Sequence, residues 1–194
     1  MNSHQVRFDV DLIRRYDRSG PRYTSYPTAV QFTDRFGLAE YRAAALASNQ
    51  DPIPRPLSLY VHIPFCSSPC FYCGCTKVIT RNHEKAEAYL YRLHREIELQ
   101  SQLYDRDREV EQLHFGGGTP TFLTSLEIDR LIEKLGSHFK LSSDPGREYS
   151  IELDPRTISR DTLRDLARVG FNRCSLGIQD FDPLVQEAVN RIQS

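Results

Sequence analysis

Four of the chain's five cysteines fall within CSSPCFYCGC, Cys66 to Cys75. Cys66, Cys70 and Cys73 are spaced CxxxCxxC, and Cys75 follows two residues later. Thiolates ligate iron–sulfur clusters, and a short loop bearing three of them can wrap one corner of a cubane without help from distant sequence. Three ligands on a four-iron cluster leave one iron open to a small molecule. Structural zinc favours two separated ligand pairs that close a tetrahedron from two sides, and no second CxxC or HxxxH is present. A zinc knuckle made by all four cysteines, and a set of incidental reduced thiols, stand as alternatives; the clustering weighs against the second.

Two further stretches carry chemistry. Gly116, Gly117 and Gly118 precede Thr119 and Pro120. Three consecutive glycines let a ligand approach the backbone closely, and their amides can serve an anionic or polar group. No Gly-Lys-Ser/Thr follows, which argues against a nucleoside triphosphate site. Glu152 stands near the end of the apolar run EYSIEL. A carboxylate there needs a partner, either a ligand ammonium group or a nearby cation such as Arg156.

The elements that must position these residues alternate regularly from residue 57 onward. LSLYVHI (57–63) reads as a strand, and after Asn82 the residues Ala86, Tyr89, Leu90, Leu93 and Ile97 fall at helical spacing. VEQLHF (110–115) is the next strand, followed by a helix opened by the capping-box pattern Thr124-Ser125-Leu126-Glu127. EYSIEL (148–153) precedes a helix that Gly170 is placed to end, and NRCSLGI (172–178) precedes one with Asp182 as cap and Pro183 at its first position. Four such units predict an α/β fold: a parallel sheet with right-handed crossovers, open or curved toward a barrel. A complete eight-fold barrel takes about 250 residues, so these units amount to about half of one. Ligands gather at the carboxyl ends of parallel strands. The cysteine loop, the glycines, Glu152 and the run Gly177-Ile178-Gln179-Asp180 all fall on that edge.

Residues 1–56 read as an N-terminal arm and helical segment. One short helix is expected at 9–18, an aromatic stretch holds Tyr16, Tyr23 and Tyr26, a second helix lies within 34–48, and NQDPIPRP is an extended connector. The barrel portion is accordingly expected at 57–194. Lys and Arg number 25 against 26 Asp and Glu, so the basic footprint of a nucleic-acid binder is missing. No apolar run approaches the roughly 18 to 20 residues of a membrane span, and MNSHQVRFDV lacks the hydrophobic stretch of a secretion signal. The expectation is a cytoplasmic protein with reduced thiols. Its sequence stops just after a helix with a parallel edge unpaired, the mark of a fragment or shortened form. Cys174 is expected in the core, and His83, His94 and His138 as surface or core filler without partners.

CxxxCxYC after one strand and GGGTP after the next resemble the radical S-adenosylmethionine (SAM) superfamily. More narrowly, YVHIPFCSSPCFYCGC, HFGGGTPTFL, SIELDPRTI and GFNRCSLGIQDFDPLVQEAVNR are similar to the oxygen-independent coproporphyrinogen III oxidases, and SGPRYTSYPTA to the arm that precedes their barrel. The resemblance runs from about residue 9 to residue 192. It implies a partial (β/α) barrel of the radical SAM type. A [4Fe-4S] cluster would sit on Cys66, Cys70 and Cys73, with the fourth iron taking the amino and carboxylate groups of S-adenosylmethionine. Tyr60, Gly117 and Glu152 would line that molecule, and Tyr72, Gly118, Thr119, Gln179 and Arg191 match positions associated with a second one. Cys75 fits the family's extra cysteine, implicated in activity without ligating the cluster, and His62 is given a substrate-side role.

The implied reaction is oxygen-independent. A 5'-deoxyadenosyl radical takes a hydrogen from the β carbon of a coproporphyrinogen III propionate, and loss of carbon dioxide and one electron leaves a vinyl group. Two such conversions give protoporphyrinogen IX in haem biosynthesis. An unidentified low-potential electron donor and a monomeric state belong to the same expectation. Related haem chaperones, which bind and deliver haem without oxidising coproporphyrinogen, are the alternative; Cys75 and the SGPRYTSYPT arm weigh against them. Oxidases of this family continue well past residue 194, so reduced or no turnover is expected of the chain alone.

Overall fold

The computed structural model describes residues 8–18 and 28–193; the stretch SGPRYTSYP, with Tyr23 and Tyr26, lies outside them. The chain divides into two compact units, Met1–Glu40 and Tyr41–Ser194. In the first, α1 (Val10–Tyr16) is N-capped by Asp9, whose carboxylate accepts from the amides of Asp11 and Leu12. No residue of this helix is buried. Helix α2 (Leu38–Ala47) begins in the first unit and ends in the second.

Residues 41–56 are bound to the second unit, where the sequence placed the transition at 56. Tyr41 donates to Gln100 Oε1 at 2.6 Å, and Asn49 Nδ2 to the Leu103 carbonyl at 3.0 Å. Arg108 donates through Nη1 to Ser48 Oγ and Asn49 Oδ1 and through Nε and Nη2 to the Arg55 carbonyl. A proline-rich connector offers few amide donors of its own, so a guanidinium fork is well suited to hold its carbonyls.

Beyond it come β1 (Leu57–Ile63), β2 (Phe65–Cys66), β3 (Val78–Ile79), α3 (Glu84–Ser101), β4 (Glu109–Gly117), α4 (Ser125–His138), β5 (Lys140–Leu141), β6 (Glu148–Leu153), α5 (Arg160–Arg168), β7 (Arg173–Leu176) and α6 (Pro183–Ala188). The main sheet has the order β1-β4-β6-β7, all parallel, with β5 paired to the start of β4. Sequential strands joined by helices and lying side by side in the same direction are the predicted α/β architecture, and no closed barrel forms among the described residues.

Alternation along the strands sorts the two faces. Leu57, Val61 and Ile63 of β1, Val110, Leu113 and Phe115 of β4, and Tyr149, Ile151 and Leu153 of β6 are buried. They pack with Ala86, Leu90, Leu93 and Ile97 of α3 and Ile128, Leu131 and Leu135 of α4 into one core. The other face carries Tyr60, His114 and Ser150, aligned by the register Tyr60↔His114↔Ser150. Helix α4 starts at the expected capping box, with Thr124 and Glu127 exchanging bonds.

Two expectations are corrected. Cys174 is exposed, because β7 pairs only with β6 among the described residues and all four of its side chains are open. His83 has a partner: its Nε2 lies 2.9 Å from both oxygens of Glu127, tying the start of α3 to that of α4. No helix among the described residues is long and apolar enough to cross a membrane.

Candidate functional site

Strand β1 turns at Pro64 directly into β2, and the whole cysteine loop is closed at its neck by the parallel pairing of β2 with β3. The Val78 amide donates to the Pro64 carbonyl at 2.7 Å, and that of Thr80 to the Cys66 carbonyl at 2.9 Å. Inside the neck, the Cys75 amide donates to Cys73 Sγ at 3.4 Å, Lys77 Nζ to the Cys73 carbonyl at 3.1 Å, and the Thr119 hydroxyl to Cys66 Sγ at 3.5 Å. Cys66, Cys70 and Cys73 are half-buried and Cys75 is exposed. Burial opposes ionisation of Cys73, yet the Cys75 amide and the Lys77 ammonium bring its thiol below the usual range. Burial pushes the Cys66 thiol up, only partly offset by Thr119.

Across from the loop stands a wall made by the tips of β1, β4 and β6. A Cβ added at Gly118 would lie 2.7 Å from the Phe65 carbonyl oxygen and 2.9 Å from Cys66 Sγ, so only glycine lets the root of the cysteine loop press on the end of β4. Gly117 has φ +115°, and a Cβ there would meet the His62 ring at 2.7 Å. The amides of Gly117 and Gly118 are bonded within the wall. Gly117 donates to Glu152 Oε2 at 3.1 Å, and Gly118 to the Ile63 carbonyl at 2.9 Å.

Glu152 has no bond to Arg156, the cation named for it from sequence. It accepts from Gly117 and lies 3.2 Å from His114 Nε2, while His114 Nδ1 sits 2.6 Å from Ser150 Oγ. An ionised carboxylate only accepts, so Nε2 carries the proton toward it, and in the neutral ring Nδ1 accepts from Ser150. Tyr60 stacks on this imidazole, 5.8 Å between centroids and 16° between planes. Its hydroxyl lies 2.9 Å from His62 Nδ1, and His62 Nε2 faces the Thr76 carbonyl at 3.0 Å. Both nitrogens of His62 are thus engaged in joining β1 to the far end of the cysteine loop.

A buried ion cluster closes the third side. Arg156 belongs to Asp154, which is 7% exposed: Nη2 lies 2.6 Å from Oδ2, and Arg191 Nη1 stands 3.5 Å from the same oxygen. Burial would raise the Asp154 carboxyl, but the two guanidinium groups hold it below the usual carboxylate range. Arg191 also donates to the Gly177 carbonyl, and Gln179 beside it has φ +71°, a left-handed conformation uncommon for residues other than glycine.

These parts enclose a cleft of about 380 Å³. Every site residue named from sequence lines it except Tyr60 and His62, which are bonded to each other, with Tyr60 stacked on His114. Sequence reasoning missed His114 and Asp154, and gave Arg156 the wrong partner. The readable signal was register: His114 lies two residues before the first glycine, on the same face as Tyr60, and Asp154 directly follows an apolar strand end where a carboxylate needs a cation. Among the described residues, no three of His, Cys, Asp and Glu converge on a single point as one metal ion requires. A cubane takes each thiolate at a separate corner, and three thiols at separate positions around one cleft suit it.

A family model described as the radical SAM superfamily matches residues 60–194. The chain is 53% identical over 189 residues to the oxygen-independent coproporphyrinogen III oxidase of Pseudomonas aeruginosa, covering 97% of this chain and 41% of that protein. With the protein of the same name from Escherichia coli K12 it shares 48% over 193 residues, covering 41% of the relative. A shorter relative of that name from Mannheimia haemolytica is 46% identical over 151 residues and is covered to 99%. Among solved structures, coproporphyrinogen III oxidase from Escherichia coli, described as a radical SAM enzyme, superposes with a TM-score of 0.80 at 45% identity over 98% of this chain and 41% of that one. The chain thus spans about two fifths of the longer relatives.

Proposed function

The chain belongs to the radical SAM superfamily and within it to the oxygen-independent coproporphyrinogen III oxidases, and from that premise we propose that its strand-tip cleft serves the oxidative decarboxylation of coproporphyrinogen III to protoporphyrinogen IX. The observation that carries this reading is the convergence of Cys66, Cys70, Cys73, Gly117 and Glu152 on one cleft. Cys66, Cys70 and Cys73 are the residues that would hold a [4Fe-4S] cluster. With S-adenosylmethionine and an electron from a low-potential donor, a cluster held there would supply the radical chemistry that removes one hydrogen atom from the β carbon of a substrate propionate. Release of carbon dioxide and of one electron to an acceptor then leaves the vinyl group, and two propionates react in turn.

The chain's own residues supply position and charge. Glu152 is aimed by Gly117 and His114, so its carboxylate is preorganised to accept hydrogen bonds from a first adenosylmethionine, with Tyr60 stacked on His114. Gly118, Thr119, Gln179, Arg191 and Tyr72 form the side we assign to a second adenosylmethionine, where the Arg191 guanidinium offers a carboxylate partner. Cys75, exposed at the cleft, is the thiol free to meet substrate, and His62 keeps the loop's far end against β1. Because the chain spans two fifths of the longer relatives, we expect it to hold cluster and adenosylmethionine while turning over coproporphyrinogen III poorly.

Anaerobic reconstitution with iron and sulfide tests this reading. Iron and sulfide counts near four per chain are expected, together with an EPR signal of the reduced protein that shifts on adding adenosylmethionine. Zinc in place of iron, or a signal indifferent to adenosylmethionine, overturns it.

A further inference from the structure

Two helices of the sheet unit end in the same way, and the difference between them is informative. At the end of α5, Gly170 (φ +113°) donates to the Ala167 carbonyl and Phe171 to that of Leu166. At the end of α6, Asn190 (φ +54°) donates to the Glu187 carbonyl and Arg191 to that of Gln186. Both are Schellman closures, in which a left-handed residue lets the last carbonyls find donors. Glycine meets that demand at the least cost, and asparagine is the next choice because its short side chain tolerates the left-handed region. As a cap alone, Asn190 has no advantage over Gly170.

What Asn190 adds is its side chain. Its Nδ2 donates to the Pro69 carbonyl at 2.8 Å, across 121 residues of sequence. One residue earlier, the Val189 carbonyl accepts from the Phe71 amide at 3.0 Å. These two bonds fall on either side of Cys70, one on the peptide group before it and one on the peptide group after it. Arg156 fixes the latch from below, donating through Nη1 to the Asn190 carbonyl at 3.3 Å while its other nitrogens hold Asp154. Cys66 is rooted in β2 beside Thr119 and Cys73 is held by Lys77 and Cys75, whereas Cys70 is the thiol whose two flanking peptide groups are held by residues 189 and 190.

We propose that Asn190 is a positioning residue for Cys70: the closure of α6 doubles as a latch that sets the middle thiol of the CxxxCxxC loop. The inference rests on the reading of that loop as a cluster-binding site, and it puts the order of one ligand under the control of the segment that also presents Arg191 to the cleft. A ligand that draws Arg191 toward itself would then tighten or loosen Cys70 through one intervening bond.

The test uses the whole chain and two variants. Asn190→Gly keeps the closure and removes the tether; Asn190→Asp keeps size and left-handed tolerance but loses the donor. Before iron is added, alkylation by iodoacetamide is followed at each cysteine by peptide mass spectrometry, with exposed Cys174 as internal reference. Both variants are expected to raise the Cys70 rate relative to Cys174 by about fivefold, the change in open population set by one hydrogen bond of ordinary net strength. After reconstitution, iron release to a chelator should be faster in both variants by a similar factor. An unchanged Cys70 rate, or Cys70 and Cys174 rising together as in general loosening, overturns the proposal. If the unsubstituted chain takes up no iron, the cluster reading falls while the alkylation rates still decide the latch.

Discussion

The tips of β1, β4 and β6 and the cysteine loop face each other across one cleft and are held in different ways. Continuous parallel pairing and a buried apolar face fix the strand tips, where Ile63, Phe115 and Ile151 are at most 1% exposed. The loop between β2 and β3 is held by scattered bonds to Lys77, Thr119, Val189 and Asn190. Substitutions in the wall should therefore appear as stability, and those in the loop as thiol placement and iron content. Residues at which the two meet should show both.

Asp154 stands at such a meeting point, and its loss should have the largest effect. Asp154→Ala would leave Arg191, itself 9% exposed, facing a vacated carboxylate site and would free Arg156 from the latch. Removing one partner of a buried ion pair costs about 3 kcal/mol or more, read as a shift in the denaturant midpoint. The pH dependence has a definite sign. Asp154 is held below its ordinary value of 3.8, so its contribution is complete above that pH and is lost as pH falls through the lower folded value. The gap between the native chain and Asp154→Ala should narrow in a titration from neutral pH toward pH 2.

Gly118→Ala comes next. Its Cβ would meet main-chain atoms of Pro64 and Phe65 as well as Cys66 Sγ, none of which is the free end of a flexible side chain. Overpacking of this kind costs about 1 to 3 kcal/mol, and here it also moves a ligand. The variant should lose stability and iron together, measured by denaturation and by iron count after reconstitution. A stability loss with full iron occupancy would show that wall and loop are independent.

Glu152→Gln separates the two in the other direction. An amide still accepts from Gly117 but no longer carries the charge, so the fold and the iron content should be unchanged. Affinity for adenosylmethionine, measured by calorimetry on the reconstituted chain, should fall about tenfold, the weight of one charge-assisted bond.

This contrast also explains what the sequence could and could not reveal. The strands and helices were legible because alternation and caps are local: β1 and β6 fall at the residues expected, and Thr124, Gly170 and Asp182 do what their types predict. The cysteines, glycines and Glu152 were legible from spacing and from the family resemblance. The partners were not. Glu152 faces His114 rather than Arg156, Arg156 serves Asp154, and Pro69 is bonded to a residue 121 positions away. Such choices depend on sheet register and on where a helix ends in space, neither of which a linear pattern carries. Cys174 shows the converse: NRCSLGI has the composition of a buried strand, yet its neighbours leave it open.

The smallest expected effect sharpens the comparison within the loop itself. Cys75 touches Cys73 through its backbone amide, at 3.4 Å from the sulfur, and Cys75→Ser keeps that amide. Burial and the contact with Cys73 push the Cys75 thiol up, whereas the Cys75 amide and the Lys77 ammonium bring Cys73 down against its burial, so Cys73 ionises more readily than Cys75. Thiolates, not thiols, bind iron. Iron per chain after reconstitution should therefore be unchanged in Cys75→Ser and markedly reduced in Cys73→Ser, with both variants equally stable before iron is added. Equal losses of iron would mean that four cysteines share the metal. No coordination position would then remain open for adenosylmethionine, and the wall opposite would have to be explained without it.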